Sequence, residues 1–164
     1  MKRFSIRFLL LLTLIAAILL ALPTRRAMMQ KRGRAWVERE CGHITFAHKY
    51  NNATGEYDHT AELMTPRFLV DWLGIDFFDS VRHVTLDCYE VDDISPITDL
   101  QDLHSFAIMI EITDTLDFSP LAELPHLEEV YLDYTDISKE RLDALRELLP
   151  RARVEAANHP PLDP

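Results

Sequence analysis

Ile94-Ser-Pro-Ile97-Thr-Asp-Leu100-Gln-Asp-Leu103 returns 24 residues later as Phe118-Ser-Pro-Leu121-Ala-Glu-Leu124-Pro-His-Leu127, with the apolar positions and the Ser-Pro pair coinciding. Short strand-like runs precede the two copies at the same offset, Val84-Thr-Leu86 and Ile108-Met-Ile110. A third unit runs from Leu127 to Leu149, and its strand, centred on Val130-Tyr-Leu132, follows at an offset of 22. No other feature constrains the fold as strongly. One strand, one turn and one helix cannot bury their apolar face alone, so such units must stack and share a core. The expectation is an α/β fold: a short solenoid of about three units over residues 81–156, with parallel strands plus helices. Ser95-Pro96 and Ser119-Pro120 open the helices, with proline at the first turn, and Asp92-Asp93 supports the N-terminus of the first.

A period of 20–29 with L-x-x-L-x-L spacing is that of leucine-rich repeats. The chain resembles bacterial leucine-rich-repeat proteins that carry an N-terminal membrane segment. The third unit, LEEVYLDYTDISKERLDALRELLPRARV, is similar to ribonuclease-inhibitor-like and internalin-like repeats. The start RFSIRFLLLLTL, the RR-x-x-x-Q-K-R linker and Trp72-Leu-Gly-Ile-Asp-Phe-Phe78 extend the resemblance over nearly the whole chain. It implies a fold and says little of function. The family pattern places Asn at the turn after each strand, where the third unit has Thr135. The other turns are longer, so a short curved stack is expected rather than a smooth horseshoe.

In such repeats the side chains between the core positions of each strand face outward on the concave side. Those are Thr85 and Asp87, Met109 and Glu111, and Tyr131 and Asp133. The offsets of 24 and 22 set Asp87, Glu111 and Asp133 in one column, with Thr85, Met109 and Tyr131 beside it. Between Arg82 and Lys139 lie fourteen acids and no Lys or Arg. An acidic concave face suits a basic protein partner or a cation; the plainer reading is a solvated surface that keeps the protein soluble.

Charge divides the chain. Residues 1–37 hold eight basic groups and no acid, and the remainder holds nine basic groups and all 27 acids, for a net charge of −10. The basic end flanks Phe8–Leu22, fifteen residues without a charge. As a helix that run spans about 22 Å, short of a hydrocarbon core of about 30 Å. Phe4, Ser5 and Ile6 extend it, since Arg7 can snorkel, which makes residues 4–22 a membrane anchor. A signal peptide cleaved after Ala21 is the alternative and would leave a secreted repeat protein; Leu19 makes that a poor cleavage site. Arg25, Arg26, Lys31, Arg32, Arg34 and Arg39 follow the run, and the positive-inside rule puts the soluble domain in the cytoplasm. The expected organisation is an anchor at 1–23, a basic juxtamembrane helix or linker at 24–41, a strand-and-helix cap at 42–80, the repeats at 81–156 and a tail at 157–164.

Within the cap, Gly42–Tyr50 reads as a strand, Asn51–Thr65 as a polar loop containing the sequon Asn52-Ala53-Thr54, and Phe68, Leu69, Trp72 and Leu73 as the apolar stripe of a helix closed by Gly74. Cys41 and Cys88 are too few for a disulfide framework and read as small buried hydrophobes. The acidic bulk argues against nucleic acid. No glycine lies between residues 75 and 164, so the repeats hold no phosphate-cradling loop, and the seven histidines lack metal-ligand spacing. No catalytic site, cofactor or metal is expected. A small enzyme using the Gly42–Tyr57 segment with His43 or His48 is the alternative of a different class. The favoured function is protein–protein interaction through the repeat sheet.

Overall fold

A computed structural model describes residues 6–51, 56–58, 60–87, 91–110, 112, 115–133 and 137–157. Glu111, Cys88, Thr135, the sequon and the tail from residue 158 lie outside the described residues. The chain is a mixed α/β protein with a mainly parallel sheet and one N-terminal apolar helix. In chain order the elements are α1 (Ile6–Arg39), β1 (His43–Phe46), β2 (Tyr50–Asn51), β3 (Glu56–Tyr57), α2 (Arg67–Leu73), β4 (Val81–Leu86), β5 (Ser105–Ile108), β6 (Glu129–Asp133), α3 (Lys139–Leu148) and β7 (Arg153–Ala157). The main sheet has the order β1-β4-β5-β6-β7, with β1 antiparallel to β4 and the other pairs parallel. β2 and β3 form a separate antiparallel hairpin.

The inner face of the sheet is a pair of apolar rows. Val84, Phe106, Val130 and Val154 align across four strands, and Leu86, Ile108, Leu132 and Ala156 form the next row. Beneath them lie Ile97, Leu100, Leu103, Leu121, Leu124 and Leu127, all buried. Each large aliphatic side chain so enclosed contributes about 1.5–3 kcal/mol.

Between β4 and β6 the connections differ from the expected helices. Ser95–Asp99 and Ser119–Glu123 are 3-10 turns of five residues, and an α-helix occurs only after β6. The sequence explains this. Ile94, Ile97, Leu100 and Leu103 recur every three residues, the period of a 3-10 helix, whereas Leu142, Leu145 and Leu149 step by three and four. Asp93 and Asp117 start the two 3-10 turns alike: each carboxylate accepts the backbone N–H and the hydroxyl of Ser95 or Ser119, at 2.7–2.9 Å. These two bonds hold the Asp117 carboxyl below its ordinary range.

The strand register also differs. Val84 pairs with Phe106, an offset of 22, whereas Phe106 pairs with Val130 at 24 and Val130 with Val154 at 24. The apolar run Phe106–Ile110 keeps one alternation but supports two registers, and the sheet uses Phe106 and Ile108 where Ile108 and Ile110 were expected, a shift of two residues. Five residues separate the end of each 3-10 turn from the following strand, so β5 begins at Ser105, where β6 later begins at Glu129.

α1 has two halves that meet at Pro23, whose missing N–H leaves the Leu19 carbonyl without its helical donor. Among the described residues it is the one helix long and apolar enough to cross a membrane, with a mean hydropathy of 1.7 over a wholly unburied window. The 18 residues from Ile6 to Pro23 span about 27 Å. Within them the Thr13 hydroxyl donates to the Leu10 carbonyl at 2.9 Å, the usual way to satisfy a hydroxyl where water is absent.

The second half of α1 packs on the domain. Trp36 and Val37 enter the core, and Gly33 lies so close to Leu100 that a Cβ there would sit 2.8 Å from its Cγ and Cδ2. Gln30 is buried; its amide donates to the Asp79 carbonyl at 2.8 Å and to Asp76 at 3.2 Å, and its oxygen accepts the Val81 N–H at 3.3 Å. Arg34 pairs with buried Asp76 at 3.2 Å, Arg32 with Asp99 at 3.0 Å, and Arg26 with Asp102. Three bases of the positive flank therefore hold acids of the domain. The helix ends with the Gly42 N–H on the Val37 carbonyl and Cys41 at a positive φ of 55°. Cys41 is exposed at this cap, contrary to the expectation of a buried hydrophobe.

The apolar stripe of α2 is also not buried. Phe68 is 69% exposed and Trp72 79%, and Leu73 is exposed as well.

Candidate functional site

Opposite the leucine core, the sheet presents an outer face built by the period-2 alternation of its strands. One row runs Thr85–Ala107–Tyr131–Glu155 and the next runs His83–Ser105–Glu129–Arg153. β1 continues both, with His43 beside Thr85 and Thr45 beside His83. One residue past the paired ends of β4 and β5, Asp87 and Met109 fall in line with Asp133.

Of the expected face residues, Thr85, Asp87, Met109, Tyr131 and Asp133 therefore share one surface, while Glu111 lies outside the described residues. The columns are re-sorted. Ala107 stands between Thr85 and Tyr131, and Met109 stands between Asp87 and Asp133. The two acids are thus separated by two strand spacings, about 10 Å, with an apolar side chain between them. That removes the directly opposed like charges that a register of 24 and then 22 would impose. Asp87 lies 3.2 Å from His43 Nε2, and Arg153 pairs with Glu155. The face is therefore mixed in charge rather than uniformly acidic.

The β2–β3 hairpin roofs one end of this face. Tyr57 packs against His83 with ring centroids 5.6 Å apart, and Tyr50 meets Tyr57 edge-on at 5.1 Å. The Arg82 guanidinium sits 4.7 Å from the Tyr50 ring centroid. His83 donates to or accepts from the Thr85 hydroxyl through Nε2 at 2.8 Å, and its Nδ1 is buried with no partner among the described residues. Burial lowers its pKa and favours the neutral ring. The Tyr57 phenol is raised above its ordinary value by burial, then by Tyr50 and Glu129; the Tyr131 phenol is raised by burial, then by Glu129 and Glu155. Both remain hydrogen-bond donors at neutral pH.

The other end is open. A groove of about 630 Å³ follows β5, β6 and β7, with Met109, Tyr131, Asp133, Arg153 and Glu155 along it. Met109 is exposed on its floor. An exposed methionine and a half-buried tyrosine, flanked by the carboxylates of Asp133 and Glu155 and the guanidiniums of Arg146 and Arg153, form a surface suited to the side chains of another polypeptide.

Tyr57, Glu129, Arg153 and Glu155 are not among the face residues expected from the sequence. Arg153-Val-Glu-Ala-Ala157 carries the alternation of a fourth parallel strand, and it lies 24 residues after β6, so its signal was present in the sequence as a further step of the same spacing. Nothing local marks Tyr57, which reaches the face only through the fold of the hairpin. His43 and His48 do not converge: His43 faces Asp87, and His48 Nδ1 hydrogen-bonds Asp79 beyond the other end of β1. Among the described residues no three His, Cys, Asp or Glu side chains form a metal-binding group.

Comparison with protein-family models, with curated proteins and with solved structures finds no match to this chain.

Proposed function

We propose that this chain is a single-pass membrane protein of the leucine-rich-repeat type that binds another protein through the outer face of its sheet. The observation that carries the reading is the open groove beside Met109 and Tyr131, held on a rigid parallel sheet whose first flank is the continuation of the apolar helix. A preformed face keeps the ordering cost of binding low. Asp133 and Glu155 in the groove and Asp87 beside Met109 favour a partner that brings basic side chains to these positions, while Arg146 and Arg153 suit an acidic or polar group at the β7 end. The six bases after the apolar run favour a cytoplasmic soluble domain. The proposed role is recruitment or docking at a membrane, without catalysis.

Site-directed photocrosslinking tests the reading. A photoreactive residue at position 131, in the full chain in its native membrane, is expected to give one discrete adduct. The same residue at position 147, on the exposed side of α3, is expected to give none. Asp87→Lys with Asp133→Lys is expected to weaken the adduct without unfolding the chain. Equal labelling from 131 and 147, or an adduct indifferent to the double reversal, defeats the proposal.

A further inference from the structure

The least explained surface of the molecule is α2. Phe68 and Trp72, four residues apart, fall along one side of α2, and Met64 is fully exposed in the bend that leads into it. Seven residues are too few for a helix to persist in water on propensity alone. An unburied Phe and Trp on so short a helix call for a covering medium.

Its place in the fold indicates the medium. Gly74, at a φ of 86°, turns the chain out of α2 and directly into the 3-10 turn Ile75–Phe77, which packs on α1. Phe77 and Phe78 adjoin Leu22, Pro23 and Arg26 around a cleft of about 450 Å³. That is the point at which α1 passes from its unburied apolar half to the half seated on the domain. α2 is thus tethered beside the end of the apolar segment. Tryptophan, with an apolar ring and one N–H donor, is favoured at the lipid–water boundary. Arg67 on α2 and Arg25 on α1 supply exposed positive charge for anionic headgroups.

We propose that α2 lies in the headgroup region of the bilayer, with Met64, Phe68 and Trp72 inserted into the lipid surface beside the exit of α1. This rests on α1 being a membrane helix. The pair would then hold the domain at two points, fixing its tilt as well as its distance from the membrane.

The chain has two tryptophans, and Trp36 is only 4% exposed in the core, so Trp72 is the reporter. The full chain is reconstituted in phosphatidylcholine/phosphatidylglycerol vesicles containing phosphatidylcholine brominated near the headgroup end of the acyl chain. Flotation with the vesicles is scored in the same samples. Trp72 emission is expected to be blue-shifted and to lose most of its intensity to bromine quenching. Trp72→Phe, which keeps an apolar ring, is expected to leave only the unquenched emission of Trp36. Unquenched Trp72 in a chain that floats overturns the proposal and leaves a protein as the occupant of this face. A chain that does not float overturns the membrane reading of α1, and this proposal with it.

Discussion

Gln30 offers the sharpest test of how the apolar helix is joined to the sheet. It is buried on the second half of α1, and its side chain bonds three groups of the segment that leads into β4. Gln30→Leu keeps a similar side-chain volume and helix propensity, so local helix stability is little altered. It leaves the Val81 N–H and the Asp79 carbonyl without their side-chain partner. Each unsatisfied buried group costs about 1–3 kcal/mol, and burying the leucine methyls returns about 1 kcal/mol. Asp76 keeps its ion pair with Arg34, which limits the damage there. The net loss is about 1–5 kcal/mol, equivalent to a fall of about 2–20 °C in Tm for a chain of this size. The assay is thermal unfolding of the detergent-solubilised full chain, followed by circular dichroism and by the emission of buried Trp36. Met28→Leu, on the exposed side of the same helix, is the neutral control. An unchanged midpoint for Gln30→Leu would falsify the seating of α1 on β4, and with it the idea of a rigid connection.

Two further outcomes follow from the same packing. Gly33→Val places a branched side chain where even a Cβ meets Leu100 at 2.8 Å, and overpacking of this kind costs about 1–3 kcal/mol, read as a lower unfolding midpoint; a neutral result would mean that α1 stands off from the 3-10 turn. Burial lowers the His83 pKa, so on acidification the unfolded chain takes a proton before the folded one does. The contribution of His83 to stability is therefore full above about pH 6.5, declines as pH falls through that value toward the folded-state pKa, and levels off below it. His83→Gln should flatten that part of the pH dependence, and parallel curves for parent and variant would sink the assignment.

The parallel sheet was legible because its buried strands recur at nearly constant offsets with apolar residues at alternate positions, and Val84, Leu86, Val130 and Leu132 hold the inner positions expected of them. Registers were less legible. Phe106–Ile110 is apolar without a break, so alternation alone cannot choose between starting at Ser105 and starting two residues later. The spacing of three in Ile94–Leu103 carried the 3-10 geometry in plain view, yet Ser-Pro openings suit an α-helix equally well. The stripe on α2 shows the opposite failure. Phe68, Leu69, Trp72 and Leu73 have the spacing of a buried face, and periodicity records that a face is apolar without recording what covers it. The face residues fared in the same way. Thr85, Asp87, Tyr131 and Asp133 come together because the two offset errors cancel over two strands, whereas the middle strand supplies Ala107 where Met109 was expected, and Met109 where Glu111 was.

The charge division takes on a different meaning once Arg26, Arg32 and Arg34 are seen paired with Asp102, Asp99 and Asp76. On the proposed membrane reading, a positive flank would act on topology during insertion, before the domain has folded, so these pairs would not weaken that signal. They act afterwards. The two pairs formed by Arg26 and Arg32 are exposed and contribute little individually, but Arg34–Asp76 lies against Gln30 in a buried network. The consequence is that no flexible tether separates Pro23 from the sheet: sixteen residues of helix, about 24 Å, run along the domain instead. A partner bound at Tyr131 would then meet a face held at a set height and orientation rather than one sampling a hemisphere, which lowers the entropy lost on binding. Inserting two alanines between Pro23 and Gln30 rotates one half of α1 by about 200° relative to the other. On the proposed reading this should leave membrane integration intact while displacing α2 from the lipid, so loss of Trp72 quenching without loss of flotation is the expected signature of the rigid joint.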